Sequence, residues 1–216
     1  MAVTINKDTK IYGSFSLNPG NNGTIFFNDA FEKYGINAIY KSFYSDNIDK
    51  TTNAVKHLNF GGFALSMPHK ISVCDFLDER DEGVIEIGAC NTVVIKDGRL
   101  HGYNTDWMGV LDYFDNIKLK DDLIILGNGG FSKAIQYACR QRGINYVVWG
   151  RNEIPLMNFP YARTRLFINA TPADMIAKYD VLIDARPFTK EGKEIALYQA
   201  KHQFELYTNI EYLDGK

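Results

Sequence analysis

The chain contains a glycine-rich segment that reads Ile125-Leu126-Gly127-Asn128-Gly129-Gly130-Phe131-Ser132-Lys133-Ala134. The apolar run that ends at Leu126 predicts a buried strand, and residues 131–142 predict a helix that stops before Gly143. A glycine loop between a strand and a helix permits a tight turn and lets the backbone approach a pyrophosphate, which the helix N-terminus attracts. We therefore predict a dinucleotide site, with an ordinary turn as the alternative. The predicted contacts are Gly127, Asn128, Gly129, Gly130 and Phe131, and Ser132 stands where the usual pattern has its third glycine.

The next predicted strand ends at an arginine. Residues 145–149 have the apolar character of a strand, and Gly150-Arg151-Asn152 follows them. Sites that bind NAD usually carry Asp or Glu at this point, where it bonds to the ribose 2′-hydroxyl. Arg151 instead offers a planar, permanently charged group that suits a 2′-phosphate. We therefore expect NADP rather than NAD, although Glu153 argues the other way.

Strand-like and helix-like segments alternate along the chain. The first half predicts strands at 10–15, 38–44, 62–65, 91–96 and 99–103 and helices at 24–34, 48–58 and 68–77, and the second half predicts strands at 123–126, 145–149, 166–168 and 181–185 and helices at 105–114, 131–142 and 191–207. Such alternation is typical of an α/β fold with largely parallel sheets. We expect an α/β substrate-binding catalytic domain at 1–106, a shortened Rossmann-like dinucleotide-binding domain at 107–188, and a C-terminal helix at 189–216 that packs back on the first domain.

The composition excludes several classes of protein. Hydrophobic residues make up 45% and charged residues 23%, as in ordinary globular proteins, and the net charge of −2 gives no basic field for nucleic acid. No apolar run approaches the length of a membrane span, and the first residues have no apolar core of a signal peptide. Three widely spaced cysteines fit neither a disulfide framework nor a zinc site. We expect a cytoplasmic monomer or homodimer that binds a small molecule.

Three segments of the first half carry polar residues where predicted strands end or helices begin. They read Ser66-Met67-Pro68-His69-Lys70, Gly88-Ala89-Cys90-Asn91-Thr92 and Gly102-Tyr103-Asn104-Thr105-Asp106. Lys70 lies just inside a predicted helix, where the dipole disfavours a cation, so it needs an anion or gives up its proton more readily. Asp106 could supply that anion. A lysine placed in this way can exchange a proton with a reacting oxygen.

In this order, the three segments closely resemble motifs of the shikimate dehydrogenase family. The glycine loop, Gly150-Arg151-Asn152 and Ile168-Asn169-Ala170-Thr171-Pro172 resemble the motifs of that family's nucleotide-binding half. The resemblance implies a reversible, NADP-dependent hydride transfer between shikimate and 3-dehydroshikimate. It also implies that Asn169 and Thr171 belong to the cofactor site.

The resemblance further implies roles for individual residues. Lys70 corresponds to the catalytic acid/base and Asp106 to its partner at the substrate hydroxyl. The implied substrate-binding residues are Ser14, Ser16, Ser66, Asn91 and Gln199. Ser14 and Ser16 compete for the register of a two-serine motif that holds the substrate carboxylate, and Gln199 lies in the last predicted helix.

The sequence also departs from the family pattern. Ala185 stands where a tyrosine lines the family's substrate site, and few residues separate Arg151 from the strand at Leu166. The cofactor half is therefore short. Two alternatives follow from these departures: a related dehydrogenase that acts on quinate or another hydroxylated cyclic acid, and a non-catalytic relative that binds substrate without efficient use of the cofactor.

Overall fold

The computed structural model describes residues 4–150, 166–173 and 181–214. Its strands and helices follow one another in the order β1 Lys10–Ser16, α1 Asn22–Lys33, β2 Ala38–Tyr44, α2 Ile48–His57, β3 Gly62–Leu65, α3 His69–Ser72, β4 Glu79–Arg80, α4 Glu82–Ile87, β5 Thr92–Lys96, β6 Arg99–Tyr103, α5 Asp106–Asn116, β7 Leu123–Leu126, α6 Gly130–Arg142, β8 Tyr146–Trp149, β9 Leu166–Asn169, β10 Val181–Asp184 and α7 Lys190–Thr208. A 3₁₀ helix, Val73–Phe76, follows α3 directly.

Internal contacts divide the chain into two compact units. The first unit contains Met1–Thr105 and Ala200–Lys216, and the second contains Asp106–Gln199. The division falls within α7, whose second half belongs to the first unit. None of the helices in the described ranges is both long enough and apolar enough to cross a membrane.

The first unit is built on a six-stranded mixed sheet with the order β2-β1-β3-β5-β6-β4. Strands β1, β2 and β3 are parallel, whereas β5 runs antiparallel to β3 and forms a hairpin with β6. The hairpin turns at Asp97 and Gly98, both at positive φ, as the Asp-Gly pair predicts. Two buried apolar clusters cover the sheet, and the larger aromatic residues in them are Phe15, Phe27, Phe31, Phe60, Phe63 and Phe204.

The second unit contains a four-stranded parallel sheet with the order β10-β9-β7-β8. Strand β7 is buried along its whole length, which explains its unbroken run of Leu and Ile. Helices α5 and α6 contribute Val110, Phe114 and Ile135 to the same core, and α7 contributes Ile195. This arrangement confirms the predicted α/β class.

The structure differs from the sequence-based expectation at two places. The helix predicted at 68–77 is a single α turn followed by a 3₁₀ turn, and the carbonyl of Lys70 accepts a hydrogen bond from the Cys90 amide (2.7 Å). The Lys70 carbonyl thus bonds to a residue outside the helix, whereas in a continuous helix it would accept from the amide four residues further along the chain. Strand β4 and helix α4 were not expected. Asp81 caps the N-terminus of α4, where its carboxylate accepts a hydrogen bond from the Val84 amide (2.6 Å).

Candidate active site

One edge of the first unit's sheet brings together residues from several of the predicted motifs. Strands β1 and β3 are parallel and end there at Ser16 and just before Ser66, while β5 runs the other way and begins just after Asn91. Backbone hydrogen bonds tie these ends together, from Ser66 N to Phe15 O (3.3 Å) and from Leu65 N to Asn91 O (2.8 Å). The polar residues therefore share an edge because the strands end there.

The two candidate serines lie two residues apart on β1, so their side chains point to the same face of the sheet. The Ser14 hydroxyl donates to the Ser42 hydroxyl on β2 (3.0 Å), which also bonds to the Thr24 hydroxyl on α1 (3.1 Å). Ser14 thus contributes to the contact between β1, β2 and α1. Ser16 is the last residue of β1, and its carbonyl accepts from Ser45 N (2.9 Å), so its backbone is fixed at the edge.

Lys70 is partly buried in the single turn of α3. Its carbonyl bond to Cys90 N attaches this turn to the residue that precedes Asn91. The neighbouring His69 is buried, and its Nε2 lies 2.8 Å from the carbonyl of Ser45. Because a carbonyl oxygen can only accept, Nε2 carries the hydrogen and donates it. His69 therefore anchors the turn that presents Lys70.

Asn91 is fully buried and lies at the centre of a network of polar side chains. Its Oδ1 accepts from Thr105 N (2.8 Å) and from the Thr92 hydroxyl (3.0 Å), and its Nδ2 donates to the Thr105 hydroxyl (3.0 Å). Gln203 of α7 donates from Nε2 to the Thr92 hydroxyl (2.8 Å). The sequence pattern indicated Asn91, but not the three residues around it. Gln203 could have been noticed because it follows Gln199 by four residues and so shares its helix face.

Cys90 lies beside this network and is chemically inert. Its side chain is fully buried, and its Sγ donates to the carbonyl of Thr92 (3.2 Å). Burial raises the pKa of the Cys90 thiol to about 12, so the thiol stays protonated at neutral pH. It is therefore no candidate nucleophile.

Asp106 and Gln199 both fall in the second unit. Asp106 is the first residue of α5 and is only 3% exposed. Gln199 is partly buried on α7, and its backbone packs against Gly109 of α5, where an added Cβ would lie 2.7 Å from Gln199 N. Glycine at position 109 thus allows the two helices to approach closely.

The glycine loop joins β7 to the N-terminus of α6. Gly127 has φ of +101°, and a Cβ there would lie 2.8 Å from the Thr171 side chain, so only glycine fits. A Cβ on Gly129 or Gly130 would meet nothing within 4 Å. The loop leads into α6, which has 13 residues and supplies the amides and dipole of a helix N-terminus. Phe131 is partly buried against the core of the second unit, a packing role beside its predicted contact with the cofactor.

Ser132 compensates for the missing third glycine. Its side chain is fully buried, and its hydroxyl donates to the carbonyl of Gly127 (2.7 Å) while accepting from Gln136 Nε2 (3.2 Å). The hydroxyl therefore satisfies a loop carbonyl, a function that the spacing of the motif does not reveal.

Asn169 and Thr171 form a turn at the end of β9 beside this loop. The Asn169 Oδ1 accepts from Thr171 N (3.0 Å) and from the Thr171 hydroxyl (2.7 Å), and its Nδ2 donates to the carbonyl of Ala173 (2.8 Å). Thr171 in turn faces Gly127. The turn thus supports the loop from the neighbouring strand. Arg151, the residue predicted to select NADP, lies outside the described residues.

A buried ion pair at the end of β10 was not expected from the sequence. Arg186 donates from Nε to both carboxylate oxygens of Asp184 (2.9 Å each), and Asn169 Nδ2 lies 3.4 Å from the same carboxylate. Burial opposes the charge on Asp184, but the bonds from Arg186 outweigh it and hold the pKa of Asp184 below its usual value. Within the described ranges, no cluster of His, Cys, Asp and Glu has the form of a metal site.

Comparison with known proteins finds shikimate dehydrogenases among the proteins similar to this chain. Residues 22–93 match the family model described as the shikimate dehydrogenase substrate binding domain. A shikimate dehydrogenase-like protein of Haemophilus influenzae is 36% identical over 68% of this chain, but the match covers only 56% of that relative's length. The shikimate dehydrogenase (NADP(+)) of Aquifex aeolicus is 28% identical over 98% of this chain and 81% of its own.

A solved structure extends the likeness to the whole fold. A shikimate 5-dehydrogenase-like protein superposes with a TM-score of 0.85 at 28% identity and covers 98% of this chain and 96% of its own. The likeness therefore includes both units, beyond the substrate-binding domain that the family model matches. The chain is thus similar to shikimate dehydrogenases over nearly its whole length.

Proposed function

We propose that the protein is an NADP-dependent oxidoreductase that interconverts shikimate and 3-dehydroshikimate. The observation that carries the proposal is the edge of the first unit's sheet, where Ser16, Ser66, Lys70 and Asn91 come from separate elements and are joined by backbone bonds. Such a set offers hydroxyl, amide and ammonium groups to a small, polyhydroxylated acid. Similarity to shikimate dehydrogenases supports the choice of shikimate over other acids of this kind.

The residues of the second unit fit a dinucleotide. Gly127 adopts a conformation that only glycine tolerates there, and the space beside Gly129 and Gly130 is open. These residues, with Asn128 and the first amides of α6, would hold the pyrophosphate, and Asn169 and Thr171 would flank it. We assign the 2′-phosphate to Arg151. When bound, NADP accepts or returns the hydride that the reaction requires.

The substrate is held through its carboxylate and its ring hydroxyls. We assign the carboxylate to the hydroxyls of Ser16 and Ser66, which can each donate a hydrogen bond to an anion, whereas Ser14 donates its hydrogen to Ser42. The amides of Asn91 and Gln199 then bind ring hydroxyls, and they orient the carbon that loses its hydride. The serine hydroxyls and the side-chain amides are fixed on strands and helices, so together they hold the substrate in the orientation that hydride transfer needs.

Lys70 moves the proton. Oxidation of an alcohol to a ketone removes one hydride from carbon and one proton from oxygen, so a group at the oxygen must take up that proton. We assign this role to the Nζ of Lys70, which returns the proton when the ketone is reduced. Asp106 accepts a hydrogen bond from the substrate at a hydroxyl other than the reacting one and, as an anion, balances the charge of the protonated lysine.

The cysteines of the protein indicate the compartment in which it works. All three cysteines, Cys74, Cys90 and Cys139, are free thiols, and two of them are buried. We infer a reducing compartment, the cytoplasm, in which such thiols persist.

A spectrophotometric assay tests the proposed activity. Formation of reduced cofactor is followed with shikimate and quinate side by side, each with NADP and with NAD. We expect the highest kcat/KM for shikimate with NADP. A higher value for quinate would favour the alternative motivated by Ala185, and binding of shikimate without any reduction of NADP would favour a non-catalytic relative.

A further inference from the structure

Gln203 is a buried polar residue that the proposed chemistry leaves without a role. It lies on the half of α7 that belongs to the first unit and is only 4% exposed. Its Nε2 donates to the Thr92 hydroxyl (2.8 Å) and lies 3.5 Å from the carbonyl of Asn91. Burying an amide side chain is costly unless its hydrogen bonds are made, and these two contacts offset that cost for Gln203.

The hydrogen bonds around Gln203 have a defined direction. An amide nitrogen can only donate, so the Thr92 oxygen accepts at this contact and its single hydrogen is directed elsewhere. The shortest remaining contact places that hydrogen on Asn91 Oδ1 (3.0 Å). Gln203, Thr92 and Asn91 therefore form a relay in which each member donates to the next.

The relay agrees with a second constraint on Asn91. The Thr105 backbone amide also donates to Asn91 Oδ1 (2.8 Å), and a backbone amide cannot reverse its direction. A flipped Asn91 side chain would set its NH₂ group against this donor. Two donors thus fix the oxygen of the Asn91 amide, and the nitrogen faces the Thr105 hydroxyl (3.0 Å).

We propose that Gln203 is a positioning residue: through the Thr92 hydroxyl, it fixes the orientation of the Asn91 amide that binds the substrate. This inference rests on the proposed function, because it assigns Asn91 to a substrate hydroxyl. It adds a residue on the C-terminal helix that sets substrate affinity without touching the substrate. Gln203 is distinct from Gln199, to which we assigned direct contact.

The first test removes the donor and keeps the size of the side chain. In Gln203→Met we expect KM for shikimate to rise about 3- to 10-fold, the effect of one lost hydrogen bond, with kcat within about twofold of wild type. KM for NADP should not change. His202→Ala, at the adjacent position on α7 where the ring lies beside Glu205, is the matched control and should leave both KM values unchanged. An unchanged KM for shikimate in Gln203→Met would overturn the proposal.

The second test reverses the relay. In Gln203→Glu, a protonated side chain can still donate to Thr92, whereas an ionised one accepts from Thr92 and takes the hydrogen away from Asn91. A buried carboxyl has a raised pKa, so we expect KM for shikimate to rise with pH between about pH 5 and about pH 9 in this variant more than in wild type. A pH profile of KM parallel to that of wild type would contradict the relay.

A double-mutant cycle separates the relay from simple charge repulsion. Adding Thr92→Val removes the hydroxyl but keeps the shape, so the extra pH dependence from Gln203→Glu should disappear. If the dependence persists in this background, the new charge acts on the anionic substrate directly and the relay is wrong. Thermal unfolding at each pH confirms that the variants are folded.

One further measurement keeps this inference separate from the proposed function. In the ligand-free protein, the side-chain amide resonances of Asn91 should shift in Gln203→Met and not in His202→Ala. If wild type fails to oxidise shikimate but this shift is present, the proposed function fails and the relay stands. If the shift is absent, the relay fails whatever the activity.

Discussion

The backbone amide of Cys90 donates a hydrogen bond of 2.7 Å to the carbonyl of Lys70. This bond joins the turn that carries the proposed acid/base to the residue that precedes Asn91. The ammonium of Lys70 and the amide of Asn91 are thus presented by backbones that are directly linked. A site built in this way holds its proton-transfer group and its substrate-binding group at a fixed separation, which favours an oriented substrate.

The first prediction concerns the choice of cofactor. Arg151→Ala removes the group assigned to the 2′-phosphate, so KM for NADP should rise at least about tenfold, as expected for a lost charge-assisted contact. KM for NAD should stay nearly constant because NAD lacks that phosphate. Steady-state kinetics with both cofactors measure the two values. Equal use of NADP and NAD by the wild-type protein would refute the role of Arg151.

The second prediction concerns the serine that supports the glycine loop. Ser132→Ala removes the donor to the Gly127 carbonyl, which should lower the free energy of unfolding by about 1 kcal/mol and weaken NADP binding a few-fold. Thr208→Val is a matched control, since it removes a similar bond to the Phe204 carbonyl in the first unit. Titration with NADP should distinguish the variants: equal losses of affinity would show that the loop is not the cause.

The third prediction concerns the buried pair of Asp184 and Arg186. Because the pKa of Asp184 is lowered in the folded protein, its contribution to stability is full above the ordinary carboxyl value of about 3.9 and declines as the pH falls through the folded pKa. Arg186→Met leaves a buried charge without this partner, so stability at neutral pH should fall by about 3–5 kcal/mol. The difference from wild type should narrow as the pH falls below the ordinary carboxyl value of about 3.9, because protonation of Asp184 in the variant removes its buried charge.

An exposed ion pair provides the control for this prediction. Arg99 and Glu79 lie 3.3 Å apart and are both more than half exposed, so Arg99→Met should change stability by less than about 1 kcal/mol at any pH. Chemical denaturation across the pH range yields both comparisons. A loss in Arg186→Met that stayed constant with pH would mean that packing, rather than charge, explains the effect.

The fourth prediction concerns Asp106. Asp106→Asn keeps the shape but removes the carboxylate that is proposed to accept a hydrogen bond from the substrate and to balance the charge of Lys70. We expect kcat to fall and KM for shikimate to rise together. Because Asp106 is buried at the start of α5, the thermal stability of the Asp106→Asn protein must be measured together with its kinetics. A stable Asp106→Asn protein with unchanged kinetics would remove Asp106 from the site.

Much of the fold could be predicted because its signals are local. The bounds of β2, β3, β6 and β7 agree with the expectation to the residue, since apolar runs and turn residues define them. Strand β4 could not be predicted: it contains only Glu79 and Arg80, and it forms through pairing with β6. Its partner is remote in sequence, and two charged residues carry no strand signal.

The candidate site, too, could be predicted only where its signals are local. Asn91 and Lys70 could be identified from motifs, but the partners that orient them could not. Gln203 is 111 residues from Thr92 in the chain, and His69 is 24 residues from Ser45. Such contacts depend on tertiary packing, which local spacing does not encode.

The most direct test of the proposed chemistry is the initial rate of NADP reduction by shikimate in wild type and in Lys70→Met, measured in the same assay. The variant keeps the length of the side chain but cannot exchange a proton. We predict a fall in kcat of about 10²- to 10⁴-fold with little change in KM, the effect of removing a positioned acid/base. A Lys70→Met protein that keeps more than about a third of the wild-type kcat would contradict the assignment of Lys70, because it falls far short of that effect.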